Sequence, residues 1–147
     1  MQNLQNQALP DSIDALRAQI DNALAEGVLG AVETPLTHYH TDQLYGRRIV
    51  VPAGAIFTTR VHKSDHISIA LRGHITIITE SGEVKEVKAP DAFVTPAGTQ
   101  RAVYVHEEVE FMTVHYCEEK DLDKIEAALG CTSMAEYEQQ KLLGVAA

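Results

Sequence analysis

The chain has 147 residues, 45% of them apolar, and 12 Lys+Arg against 21 Asp+Glu give a net charge of −9. That is enough for one packed domain and too apolar for a disordered chain. An acidic total argues against a nucleic-acid groove, and no apolar run approaches the ~20 residues that span a bilayer.

The segment Met1 to Gln7 is polar and lacks the pattern of a signal peptide, and two cysteines, Cys117 and Cys131, are too few for a disulfide scaffold. A cytoplasmic setting is expected. The charge is unevenly placed: residues 1–42 carry a net −5, residues 43–106 a net +3 and residues 107–147 a net −7. A basic middle in an acidic chain suggests a central site for something anionic.

In chain order, Asp11 to Glu26 reads as a helix, capped by Asp11 or Ser12 and ended at Gly27, with Ile13, Leu16, Ile20 and Leu24 on one stripe. From about Leu44 to Cys117 the pattern becomes eight short β-rich runs: Arg48–Val51, Ile56–His62, His66–Leu71, Ile75–Thr79, Val84–Val87, Ala92–Thr95, Arg101–His106 and Glu110–Cys117. Such runs predict a mainly β domain, an antiparallel barrel or jelly roll. Leu122, Ile125 and Leu129 then mark a helix ended by Gly130, and a last helix is predicted over about Ser133–Leu143. The expected organisation is an N-terminal arm (1–43), a barrel (44–117) and a helical tail (118–147) within one domain.

Register brings candidate residues together. A three-residue loop at Lys63-Ser64-Asp65 would set His62 opposite His66, Arg60 opposite Ser68 and Thr58 opposite Ala70. Val61, Ile67, Ile69 and Leu71 then form the apolar face, to be covered by the helices or by a second subunit. A like turn at Glu107-Glu108-Val109 would set Arg101 opposite His115.

The spacing Gly54-x5-Arg60-x-His62-x3-His66-x6-Gly73 resembles the first cupin motif, G-x5-H-x-H-x3/4-E-x6-G, without a gap. Pro90-x5-Pro96-x-Gly98-x2-Arg101-x3-Val105 aligns with the second, G-x5-P-x-G-x2-H-x3-N. The turn residues Gly54, Gly73, Pro96 and Gly98 fall in place. Arg60 and Arg101 stand where the motifs have His, His66 stands for Glu, Val105 for Asn and Pro90 for the opening Gly. The whole also resembles small stand-alone, single-barrel cupins of the kind found in phage genomes. The resemblance implies a single cupin barrel flanked by an N-terminal helix and C-terminal helices, and a homodimer.

If the cupin topology brings the second hairpin across the barrel, His115 joins His62 and His66 as a third ligand for a divalent transition metal (Zn, Fe, Mn or Ni). Arg60 and Arg101 cannot ligate a metal and instead suit a carboxylate or phosphate. Tyr104 is a candidate for proton transfer. His38 and His40 read as a surface strand, Tyr45 as a cavity residue, Cys117 as a buried apolar residue, and His74 and His106 as exposed. The functional expectation is a metal-dependent enzyme acting on a small anionic molecule. The alternative is a non-catalytic binding, interaction or assembly module without metal.

Overall fold

The structure, a computed structural model, describes residues 12–131 and 136–139. The expectation for Met1–Gln7 and most of the predicted last helix lie outside the described residues, of which 136–139 are helical. Helix α1 (Ile13–Ala25) starts where Ser12 accepts a hydrogen bond from the Ala15 amide at 3.0 Å, with Asp14 in its first turn, and the chain leaves it through Gly27 at φ +74°. Arg17 fastens it to the domain, donating from Nε to Thr58 Oγ1 at 2.8 Å and from Nη2 to the Thr59 carbonyl at 2.6 Å.

The strands are β1 (Leu36–His40), β2 (Leu44–Val51), β3 (Ile56–Thr58), β4 (Val61–His62), β5 (His66–Thr79), β6 (Val84–Lys88), β7 (Asp91–Thr95) and β8 (Arg101–Tyr116). Helix α2 (Leu122–Leu129) and β9 (Gly130–Cys131) follow. Seven strands form one antiparallel sheet in the order β1-β2-β8-β5-β6, with β3 also on β8 and β7 also on β5; β4 and β9 form a separate pair. Strands β1 and β6 end the path without pairing to each other, so the sheet is an open, curved jelly roll rather than the closed barrel expected.

The curvature comes from β5 and β8, which pair with each other along most of their lengths and shift register between Ala70 and Ile75. Gly73 sits there at φ +96°, where an added Cβ would collide with the Glu108 carbonyl and come within 2.8 Å of Val109 Cα. Past this bend each long strand changes its outer partner: β5 leaves β7 for β6, and β8 leaves β3 for β2.

The bend corrects the expected hairpins. Leu71–His74 and Glu107–Val109 are bends within continuous strands, because Glu107-Glu108-Val109 offers no residue suited to positive φ and Val109 is buried. Arg101 lies opposite Thr79 and His115 opposite Tyr45. His62 lies opposite Gly130, His66 opposite Thr95, Thr58 opposite Ala102, and Ser68 between Phe93 and Thr113.

One core cluster gathers Val51, Ile75, Ile77, Val87, Val103, Val105 and Val109. A smaller one packs Ile125 and Leu129 of α2 on Tyr45 and Cys117, which fixes Cys117 as a packing residue. Helix α2 therefore closes one end of the sheet's hollow and α1 is tied to Thr58 and Thr59, instead of the two covering the face carrying Ile67 and Leu71. Those two stay 49% and 45% exposed, while Val61, expected beside them, is fully buried. No helix among the described residues is long and apolar enough to cross a membrane.

Candidate metal and anion site

Strand alternation decides what enters the hollow. Tyr45, Arg47, Ile49 and Val51 of β2 face it, as do His66 and Ser68 of β5 and Arg101, Thr113 and His115 of β8. They line a cavity of about 360 Å³, closed at one end by Ile125 and Leu129. Its lining joins apolar side chains such as Ile75, Ile77 and Val103 to a few polar groups, the usual make-up of a small-molecule site.

His62, His66 and His115 meet in that cavity. Their ring centroids are 4.4 Å apart for 62–66, 4.5 Å for 66–115 and 5.1 Å for 62–115. One ring nitrogen from each lies within 4.8 Å of the other two. The segment holding the first two is tied down at several points. Gly98 donates its amide to the His62 carbonyl at 2.9 Å, Ala97 donates to Asp65 Oδ1 at 2.7 Å, and Lys63 donates its amide to the Leu129 carbonyl at 2.8 Å. The Pro96-Ala97-Gly98 turn and the α2–β9 connection thus fix His62 relative to His66.

Burial drives the proton off these rings. His62 is pushed down to about 3, first by burial and then by the charges of His66, His115, Arg47 and Arg101. His115 is pushed down to about 4 by burial, then by His66 and Arg47. His66 is also lowered by burial, against the opposing pull of its hydrogen bond to Ser64. At neutral pH all three are neutral imidazoles with a lone pair each.

The donor set fits a divalent transition metal. Nδ1–H of His66 donates to the Ser64 carbonyl at 3.4 Å, which leaves Nε2 with its lone pair. His115 shares Nε2 with Thr113 Oγ1 at 2.9 Å, and its Nδ1 is buried with no hydrogen-bond partner. An orphaned, buried imidazole nitrogen in a three-His cluster is what a metal would satisfy.

The arginines sort differently from the sequence expectation. Arg101 donates from Nη1 to Thr95 Oγ1 at 2.9 Å, its guanidinium carbon is 5.4 Å from the Phe93 ring centre, and its Nε is buried without a partner. Arg47, not singled out from the sequence, also lines the cavity and makes no ion pair among the described residues. Alternation from Val51 and Ile49 back along β2 was the signal that would have found it. Arg60 lies at the rim, 3.5 Å from Glu126, with both side chains about half exposed.

Tyr104 is outside the cavity. Positions 101, 103 and 105 of β8 face inward, so Tyr104 faces out, 44% exposed and edge-on to His106 at 4.9 Å. This placement withdraws it as a proton donor to the cavity. Tyr45 is inside, its hydroxyl 2.6 Å from His38 Nδ1. His38 and His40 belong to β1, as expected, and are not among the clustered ligands.

No family model matches the chain, and no curated protein matches it. Solved structures do. One from Neisseria meningitidis is 8% identical, with a TM-score of 0.51 over 63% of this chain and 93% of that one. A protein named for ethanolamine utilization from Salmonella typhimurium is 22% identical, with a TM-score of 0.50 over 58% of this chain and 71% of that one. A variant of the salicylate 1,2-dioxygenase of Pseudoaminobacter salicylatoxidans, in complex with gentisate, is 15% identical, with a TM-score of 0.50 over 69% of this chain and 31% of that one. At such identities the likeness speaks for the fold alone, a mainly β jelly roll with a helix at each end.

Proposed function

We propose that the cavity holds a divalent transition metal on His62, His66 and His115 and receives a small anionic molecule beside it. The observation that carries this reading is the convergence of three neutral imidazoles in one buried cluster with two arginines free of carboxylate partners among the described residues. When bound, such a metal supplies a Lewis acid that polarises an oxygen or acidifies a water.

The chain's own residues do the rest. Arg47 and Arg101 neutralise and orient the anion, with Arg101 Nε offering an unused donor. Ile49, Val51 and Phe111 exclude water behind it. Arg60 guards the rim through Glu126. Neutral rings are ready to ligate, and the nearby guanidiniums disfavour their protonation.

One feature favours a binding role over turnover: the only carboxylate lining the cavity among the described residues is Glu126, already facing Arg60. A general base would then have to be a water or a histidine. Metal analysis joined to an anion-binding titration tests the reading. One equivalent of metal lost in His62→Ala and His66→Ala, with anion affinity lost in Arg101→Ala, supports it; full anion affinity in a chelator-indifferent protein without that equivalent supports the module without metal.

The same reading includes a homodimer. Ile67, Leu71, Val94 and Tyr116 lie exposed on the sheet's outer face, an apolar surface that a second copy would cover.

A further inference from the structure

On the outer wall, away from the cavity, a second cluster of ligating groups stands on three adjacent strands. His74 (β5), Glu86 (β6) and His106 (β8) each present an atom within 4.8 Å of the other two. Strand parity explains it: Ile75, Ile77, Val87 and Val105 face the core, so 74, 76, 86 and 106 face out together. Thr76 pairs with Glu86 on one side and with Tyr104 on the other. The register shift beside Gly73 swings His74 over His106, and their rings stack at 4.4 Å, 26° from parallel.

Both Nε2 atoms point at one carboxylate oxygen. His74 Nε2 is 2.5 Å from Glu86 Oε2, and His106 Nε2 is 4.0 Å from the same atom. Thr76 Oγ1 donates to the other oxygen, Oε1, at 2.5 Å, which holds the carboxylate in place. The Thr76 hydroxyl also meets His106 Nε2 at 2.5 Å, and Tyr104 stands edge-on to the His106 ring. Two imidazoles and one carboxylate, oriented by a hydroxyl and mounted on hydrogen-bonded strands, are more than a surface ion pair needs. They match the donor set of a zinc-type site whose carboxylate is held by a neighbouring hydroxyl. His74 is half-buried, while Glu86 and His106 are open to solvent, so an ion can enter directly.

We infer that His74, Glu86 and His106 form a second divalent transition-metal site, for zinc or a similar ion, on the outer wall. Binding displaces the proton between His74 and Glu86, moves the His106 proton from Nε2 to Nδ1 so that Nε2 leaves Thr76, and keeps the Thr76–Glu86 contact. The site links β6, β5 and β8 where β5 and β8 bend, so occupancy stiffens the bend that shapes the cavity.

The test is zinc titration by calorimetry and elemental analysis on the full chain, on His74→Ala/His106→Ala, and on His62→Ala/His66→Ala. The expected result is that the outer double variant binds one zinc fewer than the parent and the cavity double variant retains the outer zinc. If the cavity reading fails while this one holds, the parent binds one zinc and the outer variant none. Unchanged zinc content in the outer variant overturns the inference. Should a variant misfold, imidazole NMR of the parent chain decides: Ni²⁺ added to two equivalents must broaden the His74 and His106 resonances, whatever it does to the cavity histidines, and leaving either sharp contradicts the site.

Discussion

His62 and His115 face each other in the cavity, ring centroids 5.1 Å apart and planes 28° from parallel, although one comes from the separate β4–β9 pair and the other from the main sheet. His62 rides on a two-residue strand held by β9, and His115 on the far end of a 16-residue strand. Two neutral rings held this close, with His66 between them, are arranged for a shared cation. Zinc at about 100 times its dissociation constant should stabilise the fold by about 2.7 kcal/mol, a rise of roughly 5–10 °C in melting temperature. Differential scanning fluorimetry in the His74→Ala/His106→Ala background, with and without chelator, measures it. Adding His66→Ala should abolish the rise.

The arginines make separable predictions. Arg47→Ala and Arg101→Ala each remove a charge-assisted contact worth about 1.5–3 kcal/mol, so anion dissociation constants should rise roughly 10- to 100-fold. Arg60→Ala, at the half-exposed rim, should change them less than about threefold. Calorimetry with inorganic phosphate and a panel of small carboxylates checks both. An effect of Arg60→Ala as large as that of Arg101→Ala would contradict the assignment.

Acid should destabilise the metal-free protein in a defined window. His62 and His115 titrate near 3 and 4 in the fold and near 6.5 when unfolded. Between those values the unfolded chain takes up protons that the fold refuses. Stability from the buried rings is therefore full above about pH 6.5 and falls as pH drops, by up to about 1.4 kcal/mol per unit for each ring. Denaturant midpoints at pH 7.5 and 5 should show the loss, and His62→Ala should flatten it. A parent that gains stability over that interval would refute the neutral-ring picture.

Much of this arrangement was legible in the sequence. Alternation located most strands, and the glycines of the two motifs marked the bends. The hairpins were not legible, because hydrophobic runs show where a strand exists but not whether a polar break is a turn or a bend. Gly73, read as a turn between strands, makes a bulge inside β5, and Glu107-Glu108-Val109 simply continues β8. The three histidines do not meet through the hairpin pairing that the spacing predicts; they meet because β4, β5 and β8 converge on one cavity. Arg47 escapes a strand that begins at Arg48, one residue too late to expose its inward parity.

The bend itself is testable. Gly73→Ala puts a Cβ against the Glu108 carbonyl at a positive φ, so neither backbone nor neighbour can relax cheaply. A loss of roughly 2–4 kcal/mol is expected from chemical denaturation. Gly54→Ala, at φ +84° but with open space around it, should cost about half as much or less.

The dimer prediction is read from mass. Light scattering should give twice the 16.1 kDa of the chain, and Ile67→Lys with Val94→Lys should return the monomer. A parent that elutes as a monomer at micromolar concentration would remove the second copy from the account.

The most direct measurement is anomalous scattering from crystals grown with zinc. The account predicts a peak in the cavity about 2.1 Å from one nitrogen each of His62, His66 and His115. A cavity without such a peak, in crystals soaked at saturating zinc, would contradict it.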